Sequence, residues 1–590
     1  MPVPPGISLL ATTISRASLF PATLAILDHF VLRPYGIHDL PTWVTVATCL
    51  LSPLTAFSVQ LLSGDLINYV KAKRAGAVLP PHNPTWVPGA VHRVLGGLKA
   101  EETAYLGNIP IRGILDDLIL KLGHTFNLRS LFTDRIFTTE PEYIKLILAT
   151  DFDHYEKGTV MRKMLDPLLG DGVFNSDGAM WRFHRGMARP FFSKDRISHF
   201  EMFDRHATDA IKQVKERVKQ GYAVDVQDVA SRFTLDSATE FLFGMDIRSL
   251  SAGLNYPPSA PVQSSKNHPA NKFADAFLTA QSVVFKRSRL NEAWKLVEFW
   301  EDKVIEPMAV IGKVLDPIVQ NALRKKGEKK VGATGDNPEE ETLLSHLVNL
   351  TDDPKLIRDE TFNIMIAGRD TTASTLTFML YMLSQKPQVL KRLRREILDH
   401  VGSSARPTHE DLRDMKYLRA TINETLRLFS PVPFNFRHAT QDVIWPATRG
   451  GQPFFIPAGT RCIYSVFAMH RRTDLWGPDA LEFDPDRFLD ERMKKYLIPN
   501  PFIFLPFNAG PRICLGQQFA YNEISFMIIR LLQAFEDITW DPEASPQSLP
   551  PPEWAKSDNL RKKEEKVWLR SHLTMYAKNG YWVKFKEAEH

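Results

Sequence analysis

One short segment near the C-terminus constrains the chain more than any other feature. Residues 502–516 read Phe-Ile-Phe-Leu-Pro-Phe-Asn-Ala-Gly-Pro-Arg-Ile-Cys-Leu-Gly, and an apolar stretch with helical spacing follows at once over 515–535. Cys514 therefore stands at the start of a helix, where free backbone N–H groups and the helix dipole favour a thiolate of lowered pKa. The segment predicts a metal-ligating cysteine.

The spacing around this cysteine strengthens that prediction. Phe507, Gly510, Arg512 and Gly516 surround Cys514 at fixed intervals. The two glycines permit close approach of the backbone to a flat ligand, and the arginine can meet a carboxylate of that ligand. A lone cysteine is more often a buried structural residue. Five matched positions favour the ligand interpretation instead.

Cysteine usage and composition exclude other classes of protein. The chain has Cys49, Cys462 and Cys514 and no C-x-x-C pair, which excludes zinc ribbons, four-thiolate iron–sulfur clusters, thioredoxin-type chemistry and a disulfide scaffold. Hydrophobic residues make up 44% of the chain, enough for a large core. A net charge of only +5 does not indicate nucleic-acid binding, and we expect no nucleic-acid partner.

The N-terminal region predicts a membrane anchor over residues 1–75. Residues 42–64 carry no charged side chain, and this uncharged run is long enough to cross a bilayer as a helix. We therefore expect the main span there. Lys71, Lys73 and Arg74 follow, and such a cationic flank keeps the rest of the chain in the cytosol. A buried core helix is the alternative. The shorter apolar run within 7–33 leaves a second crossing open.

The residues after the anchor are predicted to form a linker and one large catalytic domain. Prolines over 76–90 indicate a stiff linker, and 91–590 form the catalytic domain. Helix-period spacing dominates and strand-like pieces are short, which predicts a mainly α protein with small β-sheets. The helical stretches are 196–244, 272–325, 340–385, 387–402, 409–429 and 515–535, and the strand-like pieces are 453–457, 461–467 and 572–585.

The 502–516 segment resembles the haem-binding loop of the cytochromes P-450, the haem-thiolate monooxygenases. Four other segments resemble that family and stand in the right order, so the resemblance covers roughly residues 80–590. It implies the cytochrome P-450 fold and a single large catalytic domain. It also implies haem b as cofactor, with Cys514 as the iron ligand.

The segment Ala367-Gly368-Arg369-Asp370-Thr371-Thr372 lies inside a helical pattern from 356 to 384. Glycine and a threonine pair are unfavourable in mid-helix, and one interpretation is a tolerated weak spot in a buried helix. The resemblance implies instead that Ala367 and Gly368 lie against the cofactor and that the helix opens locally at Gly368. It implies that Asp370 and Thr371 deliver protons to the oxygen being activated.

Three further segments complete the resemblance. Glu424 and Arg427 stand at i, i+3 on one helix, and with Arg487 they would form a buried structural lock; Asp486 stands where the family usually has Glu. Trp181 and Arg185 resemble the family's W-x-x-x-R helix, which contacts a haem propionate. Arg437, after Pro433-Phe434-Asn435-Phe436, would face a propionate, and the preceding residues would line the substrate pocket.

The motifs at 367–372, 505–508 and 514–520 are most similar to the fungal membrane-bound hydroxylases of alkanes and fatty acids. This implies oxygen insertion into a long aliphatic chain, or into aromatic hydrocarbons, at the endoplasmic reticulum membrane with the catalytic domain in the cytosol. Electrons would come from NADPH through a separate NADPH-cytochrome P-450 reductase. The alternatives are a haem-thiolate isomerase or peroxidase and a non-enzymatic membrane haem-binding protein.

Overall fold

The computed structural model describes most of the chain, with gaps. The described residues are 3–32, 34–35, 41–82, 87, 114–130, 132–192, 200–262, 268–329, 342–557 and 559–589. Residues 83–86 and 88–90 of the predicted linker, and the predicted start of the catalytic domain over 91–113, lie outside them.

Helices dominate the described residues. In chain order they are α1 Pro5–Leu27, α2 Thr42–Arg74, α3 Ile114–Leu122, α4 Pro141–Lys145, α5 Thr159–Leu169, α6 Gly178–Ala188, α7 Phe200–Lys219, α8 Val226–Phe243, α9 Pro269–Leu290, α10 Trp294–Val297, α11 Ile305–Lys329, α12 Leu343–Leu350, α13 Pro354–Gln385, α14 Pro387–His400, α15 His409–Asp414, α16 Lys416–Leu428, α17 Val466–Met469, α18 Thr473–Trp476, α19 Gln517–Ala534 and α20 Leu560–Glu564.

The strands are short. They are β1 Thr125–Asn127, β2 Arg135–Thr138, β3 Tyr155–Glu156, β4 Val224–Asp225, β5 Asn435–Ala439, β6 Val443–Trp445, β7 Phe454–Ile456, β8 Arg461–Tyr464, β9 Phe535–Trp540, β10 Leu569–Ser571, β11 Met575–Ala577 and β12 Trp582–Glu587.

These strands form small sheets at the edges of the helical body. The largest has the order β1-β2-β8-β5-β3, and within it β2 and β8 run parallel while the other neighbours are antiparallel. The others are β4-β12-β9 and the hairpins β6-β7 and β10-β11. This arrangement confirms the predicted fold class, mainly α with small sheets.

Helix α13 is the centre of the body. Its N-terminus is fixed by Pro354 in the first turn and by the Asp353 side chain, which accepts from the N–H groups of Lys355 at 2.9 Å and Leu356 at 3.2 Å. Most of its residues are buried on all sides, as expected for a helix enclosed by others. It packs along α8 and also contacts α16 and α19, so it carries residues 367–372 into the interior.

The two N-terminal helices are both long and apolar enough to cross a membrane, over Pro5–Leu32 and Trp43–Arg74. The last turns of α2 touch the body. Asp65 accepts two hydrogen bonds from Arg129 at 2.9 and 3.0 Å, and Lys71 pairs with Asp442 at 2.9 Å. The charged end of α2 therefore joins the predicted anchor to the body.

Several predicted stretches are divided in the structure. The stretch 196–244 contains two helices, because the chain turns at Gly221 with φ +80° and then adds β4. The stretch 340–385 breaks before α13, where Asp353 caps the new helix. The strand-like piece 572–585 is also two strands, β11 and β12.

Candidate active site

A cavity of about 740 Å³ lies between α13, the loop before α19 and the largest sheet, and it opens to solvent. Its walls are mainly apolar and include Phe241, Phe285, Phe434, Phe436 and Ile366. Ten predicted site residues line it: Trp181, Arg185, Ala367, Gly368, Thr371, Arg437, Phe507, Arg512, Cys514 and Gly516. The structure therefore brings sequence-distant segments to one site.

Cys514 is held by a tight loop just before α19. Its N–H donates to the Phe507 carbonyl at 3.0 Å, and the N–H of Ile513 donates to Gly510 at 3.0 Å. Arg185, which also lines the cavity, donates to the Ile513 carbonyl at 2.8 Å. The backbone of the loop is thus fixed on both sides of the thiol, which is accessible from the cavity.

The prediction that the pKa of the Cys514 thiol is lowered is wrong for the protein without a bound metal. Burial raises the pKa of the thiol, and this outweighs the Gly516 N–H and the Arg185 guanidinium, which both act to lower it. The groups that favour a thiolate are present, but they do not overcome desolvation. A bound metal cation would supply the missing stabilisation.

Gly510 serves the loop in a different way from the one predicted. It has φ +67°, and a Cβ there would overlap the backbone carbonyl oxygen of Leu148. Gly510 does not line the cavity, so its close approach is to the chain around Leu148 and not to a flat ligand. Gly516 does line the cavity, and a Cβ there would find Phe192 only at 3.8 Å.

Three cations gather on one wall of the cavity. Arg512 pairs with Asp177 at 2.7 Å, and its guanidinium lies 4.5 Å from the centre of the Trp181 ring. Burial, together with the charges of Arg437 and Arg512, lowers the pKa of Lys157 to about 7. Asp177 already accepts hydrogen bonds from the backbone N–H groups of Lys157 and Gly158, so its charge is shared. This wall has an excess of positive charge.

That excess fits a ligand with carboxylates. Arg437 is 2% exposed and donates to the Phe436 carbonyl at 2.7 Å, but its Nε has no hydrogen-bond partner. A buried guanidinium N–H without an acceptor is costly, and an anionic group in the cavity would satisfy it. The wall therefore fits the two propionates of haem, while Cys514 offers sulfur to the iron.

Helix α6 delivers Trp181 and Arg185 to this wall together. The residues are one turn apart, and the Arg185 guanidinium lies 5.8 Å from the centre of the Trp181 ring. Trp181 is 6% exposed and also packs against Phe152. Arg185 is occupied with the loop carbonyl of Ile513, so it fixes the cysteine loop in addition to any contact with a ligand.

On the opposite wall, α13 presents Thr371. The Thr371 hydroxyl donates to the Ala367 carbonyl at 2.7 Å, four residues back. The helix is continuous through Gly368, so the expected local opening at Gly368 is not present. A Cβ on Gly368 would stand 4.0 Å from the Ala238 side chain, so this glycine lines the cavity where α13 lies beside α8.

Asp370 is not beside Thr371 in the cavity. Its carboxylate accepts from Arg369 at 2.9 Å and from Gln281 of α9 at 2.7 Å, and it does not line the cavity. His572 does line the cavity. Burial lowers the pKa of His572 to about 4, and the nearby negative charge of Asp370 partly opposes this lowering. Asp370, the predicted proton donor, is therefore held outside the cavity lining.

The predicted lock is fully buried. Glu424 accepts from Arg427 Nε at 2.7 Å and Nη2 at 2.8 Å, and from the Asp484 N–H at 2.9 Å. Arg487 Nε lies 3.6 Å from Glu424, too far for a hydrogen bond, and Arg487 donates mainly to Asp479. Arg487 therefore contributes a positive charge near Glu424, while most of its hydrogen bonds go to Asp479.

Sequence reasoning missed Lys157, Asp177 and His572. Lys157 lies between β3 and α5, and Asp177 directly precedes the W-x-x-x-R helix; no motif marks either residue. Asp177 just before α6 could have been recognised as an acidic residue preceding a helix. His572 reaches the cavity from the β10–β11 hairpin, which the sequence did not separate from the following strand.

The α-rich fold, the thiol facing an apolar cavity and the cationic wall define a haem-thiolate protein. Comparison with known sequences agrees: the profile of the family described as Cytochrome P-450 matches residues 109–561. The chain belongs to the cytochrome P-450 family and is an oxidoreductase, a haem-thiolate monooxygenase. The prediction of family and enzyme class is confirmed. The family binds haem, takes electrons from a redox partner and acts on hydrophobic substrates.

Fungal relatives match most of the chain. Cytochrome P-450 52A6 of Candida tropicalis is 34% identical over 583 residues, which covers 95% of this chain and 100% of that protein. Cytochrome P-450 monooxygenase himC of Aspergillus japonicus is 38% identical over 422 residues, 71% of this chain and 72% of its own length. Cytochrome P-450 52A3-A of Candida maltosa is 37% identical over 432 residues, 70% and 77% of the two chains.

Proposed function

We propose that the protein is a membrane-bound monooxygenase that inserts one oxygen atom into a long-chain alkane or fatty acid, with aromatic hydrocarbons as a second substrate class. The observation that carries this proposal is the Cys514 thiol facing an apolar cavity whose other wall presents Thr371. The similarity to fungal relatives supports an aliphatic substrate, and the Phe434 and Phe436 rings are compatible with either class.

We propose haem b as the cofactor. Lys157, Arg437 and Arg512 would hold its propionates, Trp181 would pack beside them, and Cys514 would ligate its iron. Thiolate-ligated haem supplies the activation of dioxygen when it is bound. Arg185 keeps the loop in place through the Ile513 carbonyl. Ala367 and Gly516 line the same space and leave it open for a flat group.

The protein's own part in the reaction is to exclude water and to supply protons. Apolar walls keep bulk water from the reacting atoms. Thr371 can turn its hydroxyl from the Ala367 carbonyl and offer the Oγ1 proton to a water in the cavity. Asp370 would take a proton from solvent water and pass it on to Thr371 only after its carboxylate exchanges Gln281 for water, since Gln281 holds the carboxylate now. We therefore assign delivery to Thr371 and resupply to Asp370.

We propose NADPH-cytochrome P-450 reductase as the electron donor. Arg182 of α6, whose side chain is 66% exposed, and the exposed Arg189 directly after α6 form a basic surface. Both are near Arg185, which bonds the residue next to Cys514. An acidic donor surface would be attracted to this basic face and brought close to the thiolate loop.

We also propose that residues 1–75 anchor the chain in the endoplasmic reticulum membrane, that 76–90 form a linker and that 91–590 form the cytosolic catalytic domain. The two apolar helices in the described part of residues 1–75 support the anchor. The contacts of Asp65 and Lys71 with the body argue that the cytosolic end of α2 is a fixed support rather than a free tether.

The test is turnover by the full-length protein in membranes with the reductase, NADPH and isotopically labelled dioxygen. A long-chain alkane, a fatty acid of equal length and a polycyclic aromatic hydrocarbon are compared. We expect aliphatic products that carry one labelled oxygen and that require both NADPH and reductase, with none from Cys514→Ser. Conversion without reductase, or without label, would establish the isomerase or peroxidase alternative instead.

A further inference from the structure

A second pair of cations lines the cavity, on the sheet. Arg135 of β2 and Arg461 of β8 are directly paired in the parallel register, and they are 7% and 8% exposed. Phe137 and Ile463, two residues further along the same strands, line the cavity as well. Because side chains two apart share a face of a sheet, this face is a wall of the cavity.

The described cavity lining contains neither Asp nor Glu. Arg135 Nε and Nη2 are buried and have no hydrogen-bond partner. Burial lowers the pKa of Arg135 to about 10, and burial with the charge of Arg135 lowers that of Arg461 to about 9. Both side chains therefore stay cationic at neutral pH and face the same space.

Nearby Arg129, by contrast, is neutralised by carboxylates of the protein. Asp65 accepts two of its hydrogen bonds, at 2.9 and 3.0 Å, and Asp134 is 3.5 Å away. Leaving a buried guanidinium without an acceptor is costly unless a ligand completes it. The missing acceptor at Arg135 thus points to an anion that enters through the cavity.

We propose that Arg135, with Arg461 beside it, binds the carboxylate of an amphiphilic substrate whose aliphatic chain lies along the apolar walls. This rests on the proposed function and narrows it: the preferred substrate is a long-chain carboxylic acid rather than an alkane. A guanidinium matches a carboxylate with paired N–H donors, and Arg135 has two such donors free on the buried side.

The cofactor's own carboxylates are the competing occupant of this pair. They have a separate wall available, formed by Lys157, Arg437 and Arg512, next to Trp181. If Arg135 served the cofactor, its loss would release haem. If Arg135 binds the substrate carboxylate, its loss would change only the relative affinity for acidic and neutral ligands.

The experiment titrates the full-length holoenzyme with a long-chain fatty acid, its methyl ester and the alcohol of equal length, following the substrate-induced shift of the Soret band. We expect the parent to bind the acid about 10- to 100-fold more tightly than the ester, the range for a charge-assisted hydrogen bond. Arg135→Leu should abolish that preference and leave ester binding and haem content unchanged, while Arg135→Lys should keep part of it.

Lys121→Gln is the matched control, because it removes an exposed cation that lines the same cavity. It should keep the preference for the acid. Equal binding of acid and ester by the parent, equal weakening of both in Arg135→Leu, or loss of haem from that variant would each overturn the proposal. Turnover of alkane without an acid preference would reject this inference alone, whereas no product from any aliphatic chain would reject the proposed function.

Discussion

The buried lock gives the most quantitative test of how this fold is held together. Glu424, Arg427 and Arg487 are at most 1% exposed, and Glu424 accepts three hydrogen bonds. Glu424→Gln keeps the shape of the side chain but removes its charge and turns an amide N–H₂ toward a guanidinium. Removing one partner of such a buried pair costs about 3–5 kcal/mol, because the remaining cation has no counter-charge.

The assay is equilibrium denaturation of the holoenzyme, with the free energy of unfolding compared between parent and variant. The control is Asp486→Asn, which breaks an exposed ion pair with Arg392 at 2.7 Å. Such a surface pair contributes at most about 1 kcal/mol. If Glu424→Gln lowers the free energy of unfolding by no more than this control, the lock is not a determinant of stability and our reasoning about it is wrong.

Three further predictions follow from the site and the anchor. Thr371→Ala should keep haem content and substrate binding, yet lower product formed per NADPH and raise hydrogen peroxide release; Thr375→Ala, on the next turn, is the control. In protein stripped of cofactor, the free energy of unfolding should increase more steeply between pH 7 and 9 in the parent than in Lys157→Met, because the folded protein binds the Lys157 proton less tightly than the unfolded chain does; a denaturation series over pH gives the two slopes. Deleting residues 1–64 should release a haem-containing body only partly from membranes, whereas deleting 1–75 should also lower its melting temperature, because the contacts of Asp65 and Lys71 are lost.

Each of these has a contradictory outcome. Equal product per NADPH in Thr371→Ala and parent would remove this hydroxyl from proton delivery. Equal slopes of unfolding free energy against pH in Lys157→Met and the parent would show that Lys157 does not contribute. Equal melting temperatures for the two truncations would show that the end of α2 contributes nothing to the body.

Sequence reasoning was most successful where a function depends on local spacing. Cys514 with Arg512, and Trp181 with Arg185, are fixed by one loop and one helical turn, and the structure places all of them around the cavity. Gly510 shows the limit of this reasoning. Its spacing was recognised, but its close neighbour, Leu148, comes from a distant segment that no local pattern identifies.

Long-range pairings could not be derived from the chain. Arg135 and Arg461 become neighbours only through the parallel pairing of β2 and β8, and both strands are too short to show a period. The orientation of Asp370 depends on Gln281, which α9 supplies from far along the sequence. Helix boundaries were missed where single caps such as Asp353 divide a continuous apolar pattern.

The central claim, that Cys514 is the thiolate ligand of a haem in this cavity, is tested most directly by the spectrum of the reduced, carbon-monoxide-bound protein. The parent and Cys462→Ser should show a Soret band shifted far to the red, since Cys462 is fully buried in the sheet and does not line the cavity. Cys514→Ser should lose this band. A band that persists in Cys514→Ser, or disappears in Cys462→Ser, would contradict the assignment.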